Sequence, residues 1–180
     1  MIVVNVVESK NEKLLNSATG GFVTASSPFL AGDPPVRLLV AFQQAYPELS
    51  PVWLVRAPGR DVWIAAAPAA VEQFTIIAPD HEARATFSLR SARMRRTVTQ
   101  RPLARWARYP AGVLLALSRS GLDLSGLNCV VLSEEPPGPG YEFGLGMAFA
   151  ALGYEIHAQP YTSDQLIEVV DRARREYVEA

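Results

Sequence analysis

The sequence predicts an α+β fold. Three observations carry that expectation. Two apolar runs, 52–55 and 61–65, flank the turn Ala57-Pro-Gly-Arg60 and suit a strand pair. A further run, 128–132, leads into a Gly/Pro-rich loop and then an Ala-rich apolar stretch. Two segments near 103–118 and 162–178 carry apolar residues at helical spacing. Strands and helices do not alternate strictly, so a doubly wound parallel sheet is not expected.

Taken in order, residues 1–33 read as an N-terminal extension, with a short strand at 3–7 and a Ser/Thr/Gly/Ala-rich loop at 16–28. Residues 34–180 read as one domain. Pro34-Pro35 suits the first turn of a helix. Val36, Leu39, Val40 and Phe42 supply its apolar face, and Pro47 ends it. The strand pair 52–55 and 61–65 follows, then strands at 74–77 and 83–89. A helix is expected over 103–118, with Leu103, Trp106, Pro110, Val113, Leu114 and Leu117 on one face. Pro110 should kink or split it, because proline removes a backbone donor. Gly121 is a suitable stop. After strand 128–132 and the glycine loop, a helix runs to about Leu152. The last helix opens at Thr162, whose spacing to Gln165 is that of a capping box. Leu166, Val170, Ala173 and Tyr177 form its apolar stripe. The helical pattern still runs at Ala180, as in a sequence cut off rather than finished.

Composition narrows the class. With 180 residues, 49% hydrophobic and 19% charged, the chain supports one ordinary core and is not of the disordered type. The single cysteine, Cys129, lies in an apolar run and reads as a small buried residue. Met1 to Val7 is too short for a signal sequence, and no run approaches membrane-spanning length. A cytoplasmic location is expected. Net charge is −1, yet nine arginines and no acid lie in residues 83–122, leaving eight basic residues against eighteen acidic ones elsewhere. Such a segment binds anions, docks on the protein's own acids, or is simply solvated. Few aromatics interleave it, which counts against nucleic acid as a partner.

The richest stretch for chemistry is 134–152. Three prolines and four glycines lie within residues 136–146, between a strand and a helix. Such a loop presents backbone N–H groups and the positive end of a helix dipole to phosphate. Its spacing matches neither the dinucleotide fingerprint nor the P-loop.

Several segments in order resemble the N-terminal half of a galactokinase, in the GHMP small-molecule kinase superfamily. Ala57-Pro-Gly-Arg60 matches the A-P-G-R motif. Trp106-Ala-Arg-Tyr109, Gly112-Val-Leu, Leu117, Gly121 and Leu124 to Gly126 resemble the W-x-x-Y…G-V…L…G…L-x-G stretch. Pro137-Gly-Pro-Gly140 with Ala148 to Leu152 falls where the phosphate loop opens a helix, and Leu166 to Val178 is similar to the Q-R-A-E-N-x-F-V helix. The resemblance covers about residues 35–180. It implies the GHMP N-terminal domain, a mixed sheet with helices on one side and a left-handed βαβ crossover as in a ribosomal-protein-like fold. It also implies Mg-ATP-dependent phosphorylation of the anomeric hydroxyl of galactose. Pro137, Gly138, Pro139, Gly140, Tyr141, Glu142 and Gly144 would then border ATP, and Arg60 would lie by the reacting hydroxyl as a vestigial catalytic residue.

The departures point away from turnover. The family's sugar-binding G-E-H-T-D-Y is replaced by the alanine-rich run 65–70, which offers no polar group to a polyol. The three serines of the phosphate loop become Glu142, Phe143 and Gly144, and Glu142 would set a carboxylate beside a triphosphate. Binding of ATP and Mg is therefore expected to be weakened. The G-x-M-D-Q motif with the catalytic Asp, and the C-terminal domain that closes the cleft, lie beyond the sequence. The reading is a degenerate, catalytically inactive galactokinase-like chain. Its alternative is a non-catalytic nucleotide- or protein-binding module that forms a homodimer to cover an apolar face.

Other candidates are weaker. Asp80-His81-Glu82 either fans out to a metal or sits as a turn in water, and the turn is expected. His157 reads as surface. Glu134-Glu135 reads as a solvated strand end rather than a metal-binding pair. Trp53, Trp63 and Trp106 read as core anchors. No G-x-S-x-G elbow is present.

Overall fold

The computed structural model describes residues 34–180, so the expectations for 1–33 lie outside the described residues. In chain order the elements are α1 (Val36–Ala45), β1 (Trp53–Arg56), β2 (Val62–Pro68) and β3 (Phe74–Ala78). A 3-10 turn (Pro79–His81), β4 (Ala83–Phe87), α2 (Leu89–Arg93) and α3 (Arg105–Arg119) follow. The chain continues through β5 (Leu127–Ser133), α4 (Pro139–Ile156), α5 (Ser163–Ala173) and a π turn (Arg174–Val178). The five strands form one mixed sheet in the order β1-β2-β5-β3-β4, as the α+β reading expects. Both hairpins, β1–β2 and β3–β4, are antiparallel. The later strand β5 lies between them, antiparallel to β2 and parallel to β3.

Alternation decides which residue serves which face. Val62, Ile64 and Ala66 of β2 and Cys129 and Val131 of β5 pack into the large core with α3, α4 and α5. Trp63, Ala65, Ala67, Val130 and Leu132 point the other way, into a smaller cluster with Leu38 and Phe42 of α1. The main helical layer therefore lies on one side, as expected, but α1 covers part of the opposite face. A sheet whose central strands are apolar on both faces needs cover on both.

Three local expectations change. Apolar spacing assigns the inner face of α1 to Val36, Leu39 and Val40 together with Phe42. Leu38 and Phe42 are the fully buried pair, four apart, while Val36 is 75% and Val40 49% exposed. Strand β4 ends at Phe87, because Ser88 caps α2 through a reciprocal bond with Ser91. Pro110 does not split α3, which runs unbroken from Arg105 to Arg119. As the sixth helical residue it lies past the first turn, and the helix gives up the bond to the Trp106 carbonyl there without breaking. Gly121 ends that helix at φ +83, as the stop signal predicts. The capping box at the start of α5 also forms: Gln165 N–H donates to Thr162 Oγ1 at 3.3 Å, and Thr162 N–H donates to Gln165 Oε1 at 2.8 Å.

Helix α4 is buried nearly all round, between the sheet, α3 and α5. Its glycines make that fit possible. A methyl on Gly146 would meet Val170 at 3.0 Å, and one on Gly153 would meet Leu117 at 2.4 Å.

Candidate functional site at the start of helix α4

Strand β5 delivers the Gly/Pro loop to one end of the sheet, where the turn after β1 also ends. The two are stitched together. The Arg60 guanidinium donates to the Gly140 carbonyl at 3.2 Å and lies 3.5 Å from Glu135 Oε2. The Asp61 N–H donates to Glu135 Oε1 at 3.3 Å, and the Glu134 N–H donates to Asp61 Oδ2 at 3.2 Å. Arg56 Nε donates to the Arg60 carbonyl at 3.0 Å, which fixes the turn. The Glu135 N–H donates to Ser133 Oγ at 2.9 Å, bending the loop out of the strand. The A-P-G-R turn and the glycine loop are thus one structural unit.

Beside this unit lies a cleft of about 570 Å³ lined by Asp80, His81, Glu82 and Ala83, by Arg105 and Trp106, and by Pro137, Gly138, Tyr141 and Glu142. Four of the seven residues expected to border nucleotide thus line it. Pro139 is exposed at the first position of α4, and Gly140 faces the Arg60 and Glu135 side chains. Gly144 is buried, and a methyl added there would lie 3.0 Å from Val62; its role here is to let α4 approach β2. Gly138 carries φ +155 and ψ −174, a combination that favours glycine, with open space around it.

The first turn of α4 has no side-chain cap. Pro139 removes one N–H there, and the Glu142 N–H is already bonded to the Gly138 carbonyl. Glu142 does not face an open phosphate site. It is 8% exposed, and Arg105 Nε donates to its Oε2 at 3.0 Å. That bond raises the Arg105 guanidinium pKa above its ordinary value. The remaining acids, Asp80 and Glu82, keep the lining net negative. Among the described residues no group of three or more His, Cys, Asp or Glu side chains converges.

Several expectations are corrected here. Residues Ala65 to Ala67 are buried in β2, all three paired with β5 and the first two also with β1, so they line no sugar loop. Small side chains at that place fit a central strand covered on both faces. His81 does not sit in open water. Its ring lies 4.3 Å from that of Tyr141, and among the described residues His81 Nε2 and the Tyr141 hydroxyl are buried without a hydrogen-bond partner. Burial, with Asp80 adding, pushes the Tyr141 phenol pKa up. Asp80 accepts the Ser133 N–H at 3.2 Å, tying the 3-10 turn to the end of β5. Glu134 and Glu135 do not act as a pair, since Glu134 turns to Arg37 at 3.4 Å. Trp63 is a core residue, whereas Trp106 is half-buried on the cleft wall. His157 contacts the Asp123 carbonyl at 3.1 Å.

The arginine segment docks in part on the protein's own groups. Arg105 meets Glu142, Arg119 meets Glu176 at 3.1 Å, and Arg108 donates to the Leu103 carbonyl at 3.1 Å. Arg95 donates to the Ala180 carbonyl at 2.7 Å and lies over the Tyr177 ring. No described helix is long and apolar enough to cross a membrane.

No model of a known family matches the sequence. Over 76 residues, 41% of the chain, it is 32% identical to the "Putative galactokinase" of Treponema pallidum (strain Nichols). It spans 19% of that relative's length. Its fold is similar to that of Lactococcus lactis galactokinase complexed with galactose, with a TM-score of 0.62 at 10% identity, covering 81% of this chain and 43% of that one. A mevalonate kinase superposes with a TM-score of 0.50 at 10% identity, covering 65% of this chain and 37% of that one. The mixed sheet and these likenesses converge: the chain has the fold of the galactokinase and mevalonate kinase structures, resembles a putative galactokinase in sequence over 76 residues, and spans less than half the length of these proteins.

Proposed function

We propose that the chain is a galactokinase-type domain that binds nucleotide weakly and does not phosphorylate galactose by itself. The observation that carries this reading is the cleft at the start of α4, with Trp106 and Tyr141 as aromatic walls and Gly138 open beside them. A half-buried indole beside an uncapped helix start suits a heteroaromatic base with its phosphates directed at backbone N–H groups. The net negative lining and the engaged Arg60 weaken the phosphate end. Phosphoryl transfer rests on charge neutralisation and positioning, and this arrangement supplies little of either.

Thermal unfolding with millimolar Mg-ATP tests binding, since a ligand specific to the folded state raises stability. A rise in Tm, reduced in Trp106→Ala, is expected; no rise overturns the nucleotide reading. Incubation with galactose and Mg-ATP is expected to yield no galactose 1-phosphate above a protein-free blank. Product that is lost in Arg60→Ala overturns the inactive reading.

One observation favours homodimerisation as a second property. Val36, Leu39 and Val40 form an exposed apolar stripe on α1, at i, i+3 and i+4 spacing. Light scattering would show a dimer that dissociates in Val40→Glu, and a monomer at high concentration overturns it.

A further inference from the structure

We propose that Glu135 is a built-in anion that holds the phosphate-accepting groups of this fold, so that Arg60 is masked until the carboxylate is displaced. The proposal rests on reading the start of α4 as the phosphate end of the site, and it adds what occupies that end.

The geometry is that of an anion already bound. One oxygen of Glu135 lies 3.5 Å from Arg60 Nη1, and the other accepts the Asp61 N–H at 3.3 Å. A guanidinium and a backbone N–H are the donors a phosphate oxygen takes up, and a carboxylate is the side chain that imitates it. The Glu135 carboxylate also sits close to the first turn of α4, 3.8 Å from where a methyl on Gly140 would be. A negative group there is favoured by the helix dipole. The contact is sheltered: the Glu135 side chain is 19% exposed, against 76% for Glu134 at the rim. Its position is set from behind by its own N–H on Ser133 Oγ. Arg60 is held on the other side by the Gly140 carbonyl, which leaves its guanidinium turned along the loop.

A second anion entering this end meets a carboxylate, and like charges at contact distance repel. Polyphosphate therefore competes with Glu135 for Arg60, whereas an uncharged nucleoside in the neighbouring cleft does not. Removing the charge at position 135 should turn a masked site into an anion site.

Calorimetric titration with inorganic tripolyphosphate, which carries no base, tests this on the full chain. Glu135→Gln is expected to bind about tenfold more tightly than the wild type, or better. The double variant Arg60→Ala/Glu135→Gln is expected to fall back to the wild-type level. No gain in a Glu135→Gln protein with native near-UV dichroism overturns the proposal, as does a gain that persists without Arg60. Should Glu135→Gln fail to fold, Glu135→Asp, whose shorter reach releases Arg60, is titrated instead, and no gain there overturns it equally. Adenosine serves as the separate arm: unchanged binding in every variant is expected. Failure of adenosine to bind any of them, with the tripolyphosphate gain intact, sinks the cleft reading and leaves Glu135 in its role.

Discussion

The Arg60 guanidinium reaches the Gly140 carbonyl at 3.2 Å, joining a turn between two edge-side strands to the opening of the buried helix α4, eighty positions later. Through that one side chain the two segments that most resemble galactokinases support each other physically. Replacing it with alanine removes the bond to Gly140 and leaves Glu135 without its cation. The expected loss is about 1–2 kcal/mol, since neither partner is fully buried. Urea unfolding in a cycle with Glu135→Gln should show a favourable coupling; strict additivity would mean that the two side chains do not interact.

The glycines should rank by what surrounds them. A methyl on Gly126 would meet the Val71 carbonyl oxygen at 1.9 Å and the Gln73 nitrogen at 2.6 Å, both backbone. Gly126→Ala must displace the loop between β2 and β3 and should cost more than about 3 kcal/mol. Gly144→Ala meets only the Val62 methyl at 3.0 Å and should cost about 1–2 kcal/mol. Denaturant midpoints in the reverse order would contradict the close backbone approach at Gly126.

The capping box at α5 offers a local test. Thr162→Ala removes the acceptor for the Gln165 N–H and should cost about 1 kcal/mol. Thr162→Ser should recover most of it. Equal losses in both would mean that the hydroxyl does not cap.

Alkaline pH should unfold the protein through its tyrosines. Burial pushes the phenols of Tyr46 and Tyr177 up to about 12. A phenol whose pKa is higher in the folded state stabilises the fold below the unfolded value of about 10, and that contribution is lost between 10 and 12. Urea midpoints should therefore fall over that window, and absorbance at 295 nm should show ionisation delayed until the fold is lost. Native-state ionisation near pH 10 would contradict the burial of these rings. Tyr177 donates to the Ala92 carbonyl, so Tyr177→Phe should remove part of the effect.

Features that depend on near neighbours are legible in the sequence. The Thr162–Gln165 cap and the Gly121 stop depend on residues within one turn of helix, and both form as expected. The face of α1 is not legible. Val36, Leu39 and Val40 are as apolar as Leu38 and Phe42, and only the position of the sheet decides between them. The alanine-rich run at 65–70 misleads for a similar reason. Aligned by motif it falls on a ligand loop, yet small residues at that place build a strand covered on both faces. In the candidate site, Pro137, Gly138, Tyr141 and Glu142 line the cleft, and it is the resemblance to galactokinases, not the glycine spacing, that singles them out. The pairing of Glu135 with the Asp61 N–H, across 74 positions, and of Glu142 with Arg105 has no local signal. Such contacts arise from topology, and charge type alone does not choose among so many possible partners.

The strand order β1-β2-β5-β3-β4 bears on how the protein is made. Each outer pair is a local hairpin that can form early, at low cost in loop closure. The central strand is the last of the five along the chain and must enter between two hairpins already present. Until it does, the outer pairs share no hydrogen bonds and the Gly/Pro loop has no Arg60 turn to pack against. Completion of the sheet and assembly of the site should therefore coincide in folding. Substitutions in β5 should slow folding where those in β1 mainly hasten unfolding.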